Sequence, residues 1–279
     1  MKEYAWVAGL LMAGCLSAVA QEPVAEEPAV PQYDPRLSRA FGVLFDPLSG
    51  SEVPDAPAPR RPDGTLDLDG VWIGGGPGRD IREGETPEEG LMPGEEIVLL
   101  PWAKELMDGR LAKDDPEANC LPTGIPRIAP FPWRIVQTPS YGKATHLFFL
   151  IEGNIHSYRQ IFMDGREHPE DLDPTWYGHS IGRWEDDTLV IDTVGFNDRF
   201  WFDYQGHPHT EQLHTIERYT RTNLGTLENE ITIIDPGAYE KPFTVKFIAT
   251  LRPGWELQEY ICNEHNLDVE HIRGPAGGT

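Results

Sequence analysis

The stretch GHSIGRWEDDTLVIDTVGFNDRFWFDYQGHPHTEQLHTIERY covers residues 178–219 and decides the fold of this chain. Two runs of alternating apolar and polar residues, 179–184 and 188–194, flank the turn signal Glu-Asp-Asp, and a third run covers 213–221. Short alternating runs separated by turn residues predict antiparallel strands joined by hairpins. The stretch also carries four histidines and many aromatic and acidic side chains, so we expect any polar site to be built here.

Runs of the same kind precede and follow this stretch. Together with the three above they predict eight strands, the others being 144–151, 155–162, 227–234, 243–251 and 255–262. Closing such a meander of hairpins into a barrel removes its exposed edges. We therefore predict a mainly β fold, an antiparallel up-and-down barrel of the calycin or lipocalin type with one short helix and long loops. A β-sandwich is the alternative.

Three elements are expected before these strands. Residues 66–76 contain a short strand with a Gly-x-Trp motif of the kind found where lipocalin-like barrels begin. Pro101 opens a helix with apolar residues near helical spacing, namely Trp102, Leu106 and Leu111. A proline-rich segment then leads to a predicted edge strand at residues 133–138, because proline removes backbone donors.

The composition is that of a globular protein with an acidic surface. Of its 279 residues, 39% are hydrophobic and 10% aromatic, which is enough to bury a core. Acidic residues outnumber basic ones 46 to 23, giving a formal net charge of −23. A polyanion would be repelled over most of such a surface, so we predict no nucleic-acid partner. The sequence leaves the oligomeric state open.

Residues 1–20 have the features of a secretory signal peptide. A basic residue precedes an apolar run, which ends in a small-x-small cleavage pattern at residues 18–20. The run is shorter than the roughly 20 residues of a membrane-spanning helix, so no span is predicted. A weaker lipoprotein-type motif leaves a lipid anchor at Cys15 as an alternative. We expect a periplasmic or secreted protein.

The exported chain divides into an arm and one domain. Residues 21–64 are rich in proline and acidic residues and predict a linker or surface arm, and residues 65–279 form a single β-barrel domain. This part keeps only two cysteines, Cys120 and Cys262. In an oxidising compartment we expect them to form a disulfide, which would stabilise the fold by roughly 4 to 5 kcal/mol in the chain-entropy model.

Several segments resemble a large family of exported bacterial proteins of unassigned function. They include CLPTGIPR, GHSIGRWEDDTLVIDTVGFND and GHPHTEQLHTIERYTR, and the resemblance spans most of residues 66–266. It implies a common calycin-like or lipocalin-like fold and a pocket. It implies no catalytic residues, so the chemistry has to be argued from the side chains.

Histidines recur on one face of several predicted strands. His214 and Arg218 share a face of the strand 213–221, His179 lies on the equivalent face of 179–184, and His156 and Tyr158 share one on 155–162. We predict that these faces line the barrel interior, where imidazole and guanidinium groups suit acid–base work on a small molecule. The alternative is that they face solvent.

These considerations define the candidate catalytic residues. His214 is the predicted general acid or base, His209 its partner, Glu211 the residue that orients an imidazole, and Arg218 the anion stabiliser, with His179 nearby. Aromatic and polar residues around them form the expected substrate site: Trp176, Tyr177, Phe196, Trp201, His156, Tyr158, Arg159 and Asn197.

The function expected from this set is an exported enzyme without a cofactor. It would act as a lyase, dehydratase or isomerase on a small aromatic or apolar molecule. One alternative is a periplasmic binding or carrier protein for a small molecule. Another is an enzyme that uses a divalent metal, because His207, His209 and Glu211 would point to one side of an extended segment.

Overall fold

A computed structural model describes residues 53, 55–128, 131–140, 143–153, 157–264, 266 and 271–277. The predicted signal peptide, the alternative lipid anchor at Cys15, most of the predicted arm at 21–64, and His156 lie outside these residues. No helix in the described part of the chain combines the length and the apolar character of a membrane span.

The described residues form ten strands and one α-helix, with short 3-10 turns in the loops. In chain order they are β1 (Gly70–Gly74), β2 (Gly90–Leu91), α1 (Pro101–Gly109), β3 (Trp133–Ser140), β4 (Lys143–Ile151), β5 (Ser157–Phe162), β6 (His179–Glu185), β7 (Thr188–Val194), β8 (His214–Asn223), β9 (Thr226–Ile234) and β10 (Phe243–Leu251).

Nine of the strands close into a barrel, as predicted. Each of β3 to β9 pairs with the next strand along the chain, and β1 closes the ring by pairing with both β3 and β10. The two-residue strand β2 pairs only with β10. All neighbours are antiparallel except β5 and β6, which are parallel. A parallel pair needs a long connection, and residues 163–178 provide it.

Two predicted strands differ from the structure. Residues 255–262 form no strand, and the place beside β10 is taken by β1. The predicted edge strand at 133–138 lies inside the sheet as β3, between β1 and β4. Its proline is tolerated because the β3–β4 register shifts between Thr138 and Pro139, where a bulge frees that position from the regular ladder.

The barrel interior holds two apolar clusters with a polar layer between them. Along β9, Leu227 belongs to one cluster and Ile231 to the other, and the buried Asn229 lies between them. Along β8, Tyr219 packs with the first cluster, while Glu217 and its neighbours belong to the polar layer. Alternation along each strand therefore places a polar belt across a core that is otherwise apolar.

Helix α1 is present, but the apolar residues at near-helical spacing are not its buried ones. Its buried residue is Ala103, while Trp102 is 44% and Leu106 43% exposed. The Trp102 indole nitrogen donates to the carbonyl oxygen of Gly237 at 3.0 Å, so the ring lies along the surface. Leu111, beyond the helix, is also exposed. A small residue at the contact lets the helix backbone approach the loops beneath it.

The predicted disulfide between Cys120 and Cys262 is present, with the two Cα atoms 5.6 Å apart and a sequence separation of 142. It ties the segment after β10, which forms no further strand, to the loop that precedes β3. Replacing both cysteines by serine is expected to lower the free energy of unfolding by roughly 4 to 5 kcal/mol, because the unfolded chain gains entropy. Urea denaturation measures this value. A double-serine variant as stable as wild type would contradict a stabilising role of the disulfide.

Candidate functional site

The strand faces that point into the barrel are the opposite of the predicted ones. On β8 the buried residues include Thr215, Glu217 and Tyr219, while His214 and Arg218 lie on the outer face. Arg218 pairs there with Glu185 at 2.9 Å, and both side chains are about two-fifths exposed. Charged groups that remain in water avoid the desolvation cost of burial. The prediction that the His214 and Arg218 face lines the interior was therefore wrong.

The same reversal holds on β5 and β6. Arg159 and Ser180 point inward, whereas Tyr158 is 60% exposed and His179 is partly exposed on the outside. A shift of one residue moves every side chain of a strand to the other face, so alternation alone leaves two choices. The observed choice allows the buried charges to pair with each other.

An interior polar network connects Arg159, Glu217, Tyr219, Ser180 and Thr193. Arg159 pairs with Glu217, and each residue is only 1% exposed. Its Nε donates to the Ser180 hydroxyl at 3.1 Å and its Nη2 to the Thr193 hydroxyl at 2.8 Å. The Tyr219 hydroxyl donates to Glu217 at 3.0 Å. Burial raises the pKa of Tyr219 far above its ordinary value, so this phenol keeps its proton.

A pocket of about 430 Å³ opens where β5 and β6 separate. Only two residue pairs join these strands, Ile161 with Ser180 and Phe162 with Ile181. The first part of β5 therefore has no β6 partner. We call this opening the β5–β6 pocket; its main lining residues are Tyr158, Arg159, Phe162, Trp176, Tyr177 and His179. Because both inward and outward residues line it, the pocket reaches from the surface into the barrel wall.

Aromatic rings form much of the pocket wall, and one short loop positions them. The Tyr177 hydroxyl lies 2.6 Å from the Ser157 hydroxyl, which holds this ring against the free part of β5. Gly178 follows with a φ of 64°, and a Cβ atom there would lie 2.6 Å from the backbone oxygen of Val194. Only glycine allows the chain to turn this closely onto β7 and direct residue 179 to the pocket.

A chain of hydrogen bonds runs behind the pocket wall. The Nδ1 atoms of His168 and His179 lie 2.8 Å apart, and His168 Nε2 lies 3.1 Å from Asp192 Oδ1. His214 Nε2 lies 2.8 Å from the same carboxylate oxygen. We call Asp192, His168, His179 and His214 the histidine chain. It is partly buried on the outer face of β6, β7 and β8 and reaches the pocket at His179.

The Asp192 carboxylate fixes the proton positions on His168 and His179 when both histidines are neutral. Asp192 can only accept, so His168 donates from Nε2 and has a lone pair on Nδ1. His179 must then donate from its own Nδ1. Its Nε2 consequently carries the remaining lone pair. A carboxylate acting through one imidazole thus sets the tautomer of a second imidazole in the pocket wall.

The surroundings of His179 favour its neutral form. Burial lowers its pKa from the ordinary value, and the neighbouring His168 and Arg166 act in the same direction. The ring also stacks on Phe162, with ring centroids 5.0 Å apart. At the other end, the hydrogen bond from His214 lowers the pKa of Asp192, so the carboxylate stays ionised. The chain therefore combines a neutral base with a fixed negative charge.

His168 and Asp192 were not among the predicted site residues. His168 lies in the loop before β6, and Asp192 was read only as part of a strand. One signal was available, because Asp192 faces Ile216 across the β7–β8 ladder and His214 is its diagonal neighbour. Diagonal neighbours on one face of a sheet are within reach of long side chains.

His209 lies apart from the pocket, in the apolar core. Its ring stacks on Phe202, with centroids 5.1 Å apart, and its centroid is 3.8 Å from that of Phe200. Its Nε2 is buried and has no hydrogen-bond partner among the described residues. Burial lowers the pKa of His209 to about 3, so the ring is neutral. The predicted pairing of His209 with His214 is absent.

This burial makes stability depend on pH. The folded pKa of His209 lies below the ordinary 6.5, so the unfolded chain binds the proton more tightly. Stability is thus complete above the unfolded pKa and falls as the pH drops from 6.5 towards 3, at about 1.4 kcal/mol per pH unit for one proton. We expect His209→Leu to remove this contribution to the pH dependence. The unfolding free energies of wild type and variant are measured at pH 4 and at pH 7, and the difference between the two proteins should change between these pH values. A difference that stays constant with pH would contradict the assignment.

The other predicted residues lie in several places. Glu211 is exposed in the loop before β8, and Asn197 shapes the turn after β7 by accepting from the Arg199 backbone at 3.1 Å. Phe196 is buried against Phe200, with ring centroids 5.8 Å apart. Trp201 packs under Arg110, whose guanidinium carbon is 4.6 Å from the ring centroid. The pocket thus contains four predicted residues, namely Tyr158, Arg159, Trp176 and Tyr177, in addition to His179.

The predicted metal ligands do not come together as a set. Within the described residues, the group whose ligand atoms lie within 4.8 Å of one another is Asp80, Asp203 and His207. His207 is shared with the prediction, but His209 and Glu211 are not part of the group. Asp203 already accepts from His207 Nδ1 at 2.6 Å and from the Ile81 backbone at 2.6 Å. These bonds give the buried carboxylate a structural role that fastens two loops.

Comparisons of this chain with protein-family models, curated proteins and solved structures find no match. The resemblance to a family of exported bacterial proteins accordingly remains an expectation from the sequence.

Proposed function

We propose that this protein is an exported enzyme that performs acid–base chemistry on a small aromatic or otherwise apolar molecule in the β5–β6 pocket. The reaction would be that of a lyase, dehydratase or isomerase and would use no cofactor. The observation that carries the proposal is the histidine chain, which ends at the pocket in an imidazole of defined tautomer. A general base needs a lone pair of suitable pKa directed at the substrate, supported by a group that stabilises the resulting cation.

Each member of the chain has a role in this proposal. His179 takes a proton on Nε2 and returns it later in the cycle. His168 accepts the hydrogen bond from His179 and holds its ring, and Asp192 lies 3.1 Å from His168 and supplies the negative charge. His214 is a positioning residue, because it donates to Asp192 and does not line the pocket. The predicted general base is thereby moved from His214 to His179.

The pocket walls suggest the kind of substrate. Trp176, Tyr177 and Phe162 offer aromatic surface, and the volume of about 430 Å³ is in the range of small-molecule sites.

The disulfide supports export, since such bridges persist in oxidising compartments. Binding without catalysis is the second candidate. Aromatic walls around a buried arginine are sufficient for a carrier, and this function would not need the histidine chain.

A deuterium-incorporation screen separates these functions. The full chain is incubated in D₂O with small aromatic compounds, and NMR and mass spectrometry detect exchange or conversion. We expect at least one compound class to be turned over by wild type and by Glu211→Gln, an exposed control, but not by His179→Gln. Binding without exchange would support the carrier function. Turnover that survives His179→Gln would contradict the proposed base.

A further inference from the structure

Arg159 has donors that its own protein partners leave unused. Its Nε and Nη2 are engaged by Ser180, Thr193 and Glu217, but Nη1 has no hydrogen-bond partner among the described residues. The side chain is 1% exposed and yet contributes to the lining of the β5–β6 pocket. A buried donor without a partner costs free energy, so a native structure that keeps one at a pocket points to an acceptor supplied from outside.

The charge around Arg159 decides what kind of acceptor fits. Its positive charge is already balanced by Glu217, which is equally buried. The pocket is also lined by Asp173, and the nearby Arg166 is paired with Asp164 at 2.5 Å. Arg159 is the one arginine or lysine among the described residues that line the pocket, so an anionic ligand would meet no uncompensated guanidinium or ammonium group in the pocket wall. Arg199, whose guanidinium carbon lies 5.1 Å from the Trp176 ring centroid, is not a lining residue. A neutral oxygen acceptor can use the two N–H groups on Nη1 without bringing a second charge into the site.

Resting on the function proposed above, we infer that the substrate is a neutral aromatic carbonyl compound whose oxygen binds Nη1 of Arg159. The aromatic walls hold the ring, and the guanidinium holds the carbonyl oxygen. His179, which lines the same pocket, is then available to the carbon atom next to the carbonyl group.

The chemistry of such a complex balances without a further reactant. His179 Nε2 takes a proton from the carbon next to the carbonyl, and the electron pair of that C–H bond forms a C=C bond. The π pair of the carbonyl moves to the oxygen, where Arg159 stabilises the developing negative charge. The protonated His179 then returns the proton to the same carbon or to a conjugated one. The net reaction is exchange or isomerisation, with no oxidation.

A comparison of three matched ligands tests the inference by binding alone. Acetophenone carries a neutral carbonyl, benzoate carries a negative charge, and ethylbenzene carries no acceptor on a ring of the same size. Ligand-observed NMR titrations on the full chain, with its disulfide intact, give the three dissociation constants. We expect acetophenone to bind at least about 10-fold more tightly than either of the others. Equal or tighter binding of benzoate, or no binding of acetophenone, would overturn the inference.

A double variant links the preference to Arg159. Arg159→Met/Glu217→Gln removes both buried charges together, and the glutamine keeps an acceptor for the Tyr219 hydroxyl. We expect this variant to bind the three ligands within about 3-fold of one another. A carbonyl preference that survives in the folded double variant would overturn the inference.

The two proposals fail separately in these experiments. Carbonyl preference without deuterium exchange in any compound would leave the Arg159 site standing and refute the catalytic function. Exchange that depends on His179, together with no carbonyl preference, would do the reverse.

Discussion

His179→Gln is expected to lower kcat/KM by about 10²- to 10⁴-fold, the range for loss of one general acid–base group. Glutamine is similar in size and can still donate to His168, so the loop and the pocket should persist. What disappears is the lone pair on Nε2 and the ability of the side chain to hold a proton. The effect should fall on kcat, with KM changed little, because the aromatic walls that bind the substrate remain.

The pH dependence distinguishes this role from a structural one. Since burial lowers the pKa of His179, the free base should be present at neutral pH, and the wild-type rate should fall only below the ordinary imidazole range. Asp192→Asn removes the charge that supports the His179 cation. The acid limb of the rate profile should then move to still lower pH, and the maximum rate should drop.

Two surface variants serve as controls for these measurements. Arg218→Gln and Glu211→Gln alter exposed residues away from the pocket and should keep the wild-type profile. A control that lost as much activity as His179→Gln would contradict a specific role of the histidine chain in proton transfer. A pH–rate profile left unchanged by Asp192→Asn would contradict that role as well.

Arg159→Met is expected to lower the free energy of unfolding by about 3 to 5 kcal/mol, the cost of leaving one partner of a buried ion pair without the other. Glu217 would remain 1% exposed and surrounded by the barrel core. It keeps the hydrogen bond from Tyr219 at 3.0 Å, but this neutral donor cannot replace a guanidinium.

The double variant Arg159→Met/Glu217→Gln should recover most of this loss. Replacing both charges by neutral groups of similar volume is often neutral in cores, and Ser180 and Thr193 can still bond each other at 3.0 Å. Urea denaturation of wild type, both single variants and the double variant forms a complete mutant cycle. A single variant as stable as wild type, or a double variant as unstable as the sum of the singles, would contradict a coupled buried pair.

The barrel could be predicted from the sequence because the patterns that indicate its strands and turns are local. Alternation and turn residues identified β4 to β10, and the cysteine pair followed from compartment and count. The strand β1 lies within the segment 66–76 where a strand was predicted, but its role in closing the barrel was not predicted, since β1 pairs with β3 and β10, which lie far from it along the chain. Nothing in the pattern of residues 255–262 shows that β1 takes that place.

The site was only partly accessible, for two physical reasons. Alternation defines two faces of a strand without saying which is inside, and the choice depends on Arg159 finding Glu217 across the barrel. The pocket itself depends on the parallel pairing of β5 and β6, which leaves part of β5 without a neighbour. Such a pairing is set by a long connection that carries no periodic signal.

We propose that Asp192, acting through His168, places a lone pair on Nε2 of His179, the member of the histidine chain that lines the pocket. Two-dimensional ¹H–¹⁵N NMR of the histidine rings measures this directly at neutral pH. We expect a neutral His179 with its proton on Nδ1, and a mixture of the two tautomers in Asp192→Asn. A His179 ring protonated on Nε2, or unchanged by Asp192→Asn, would contradict it.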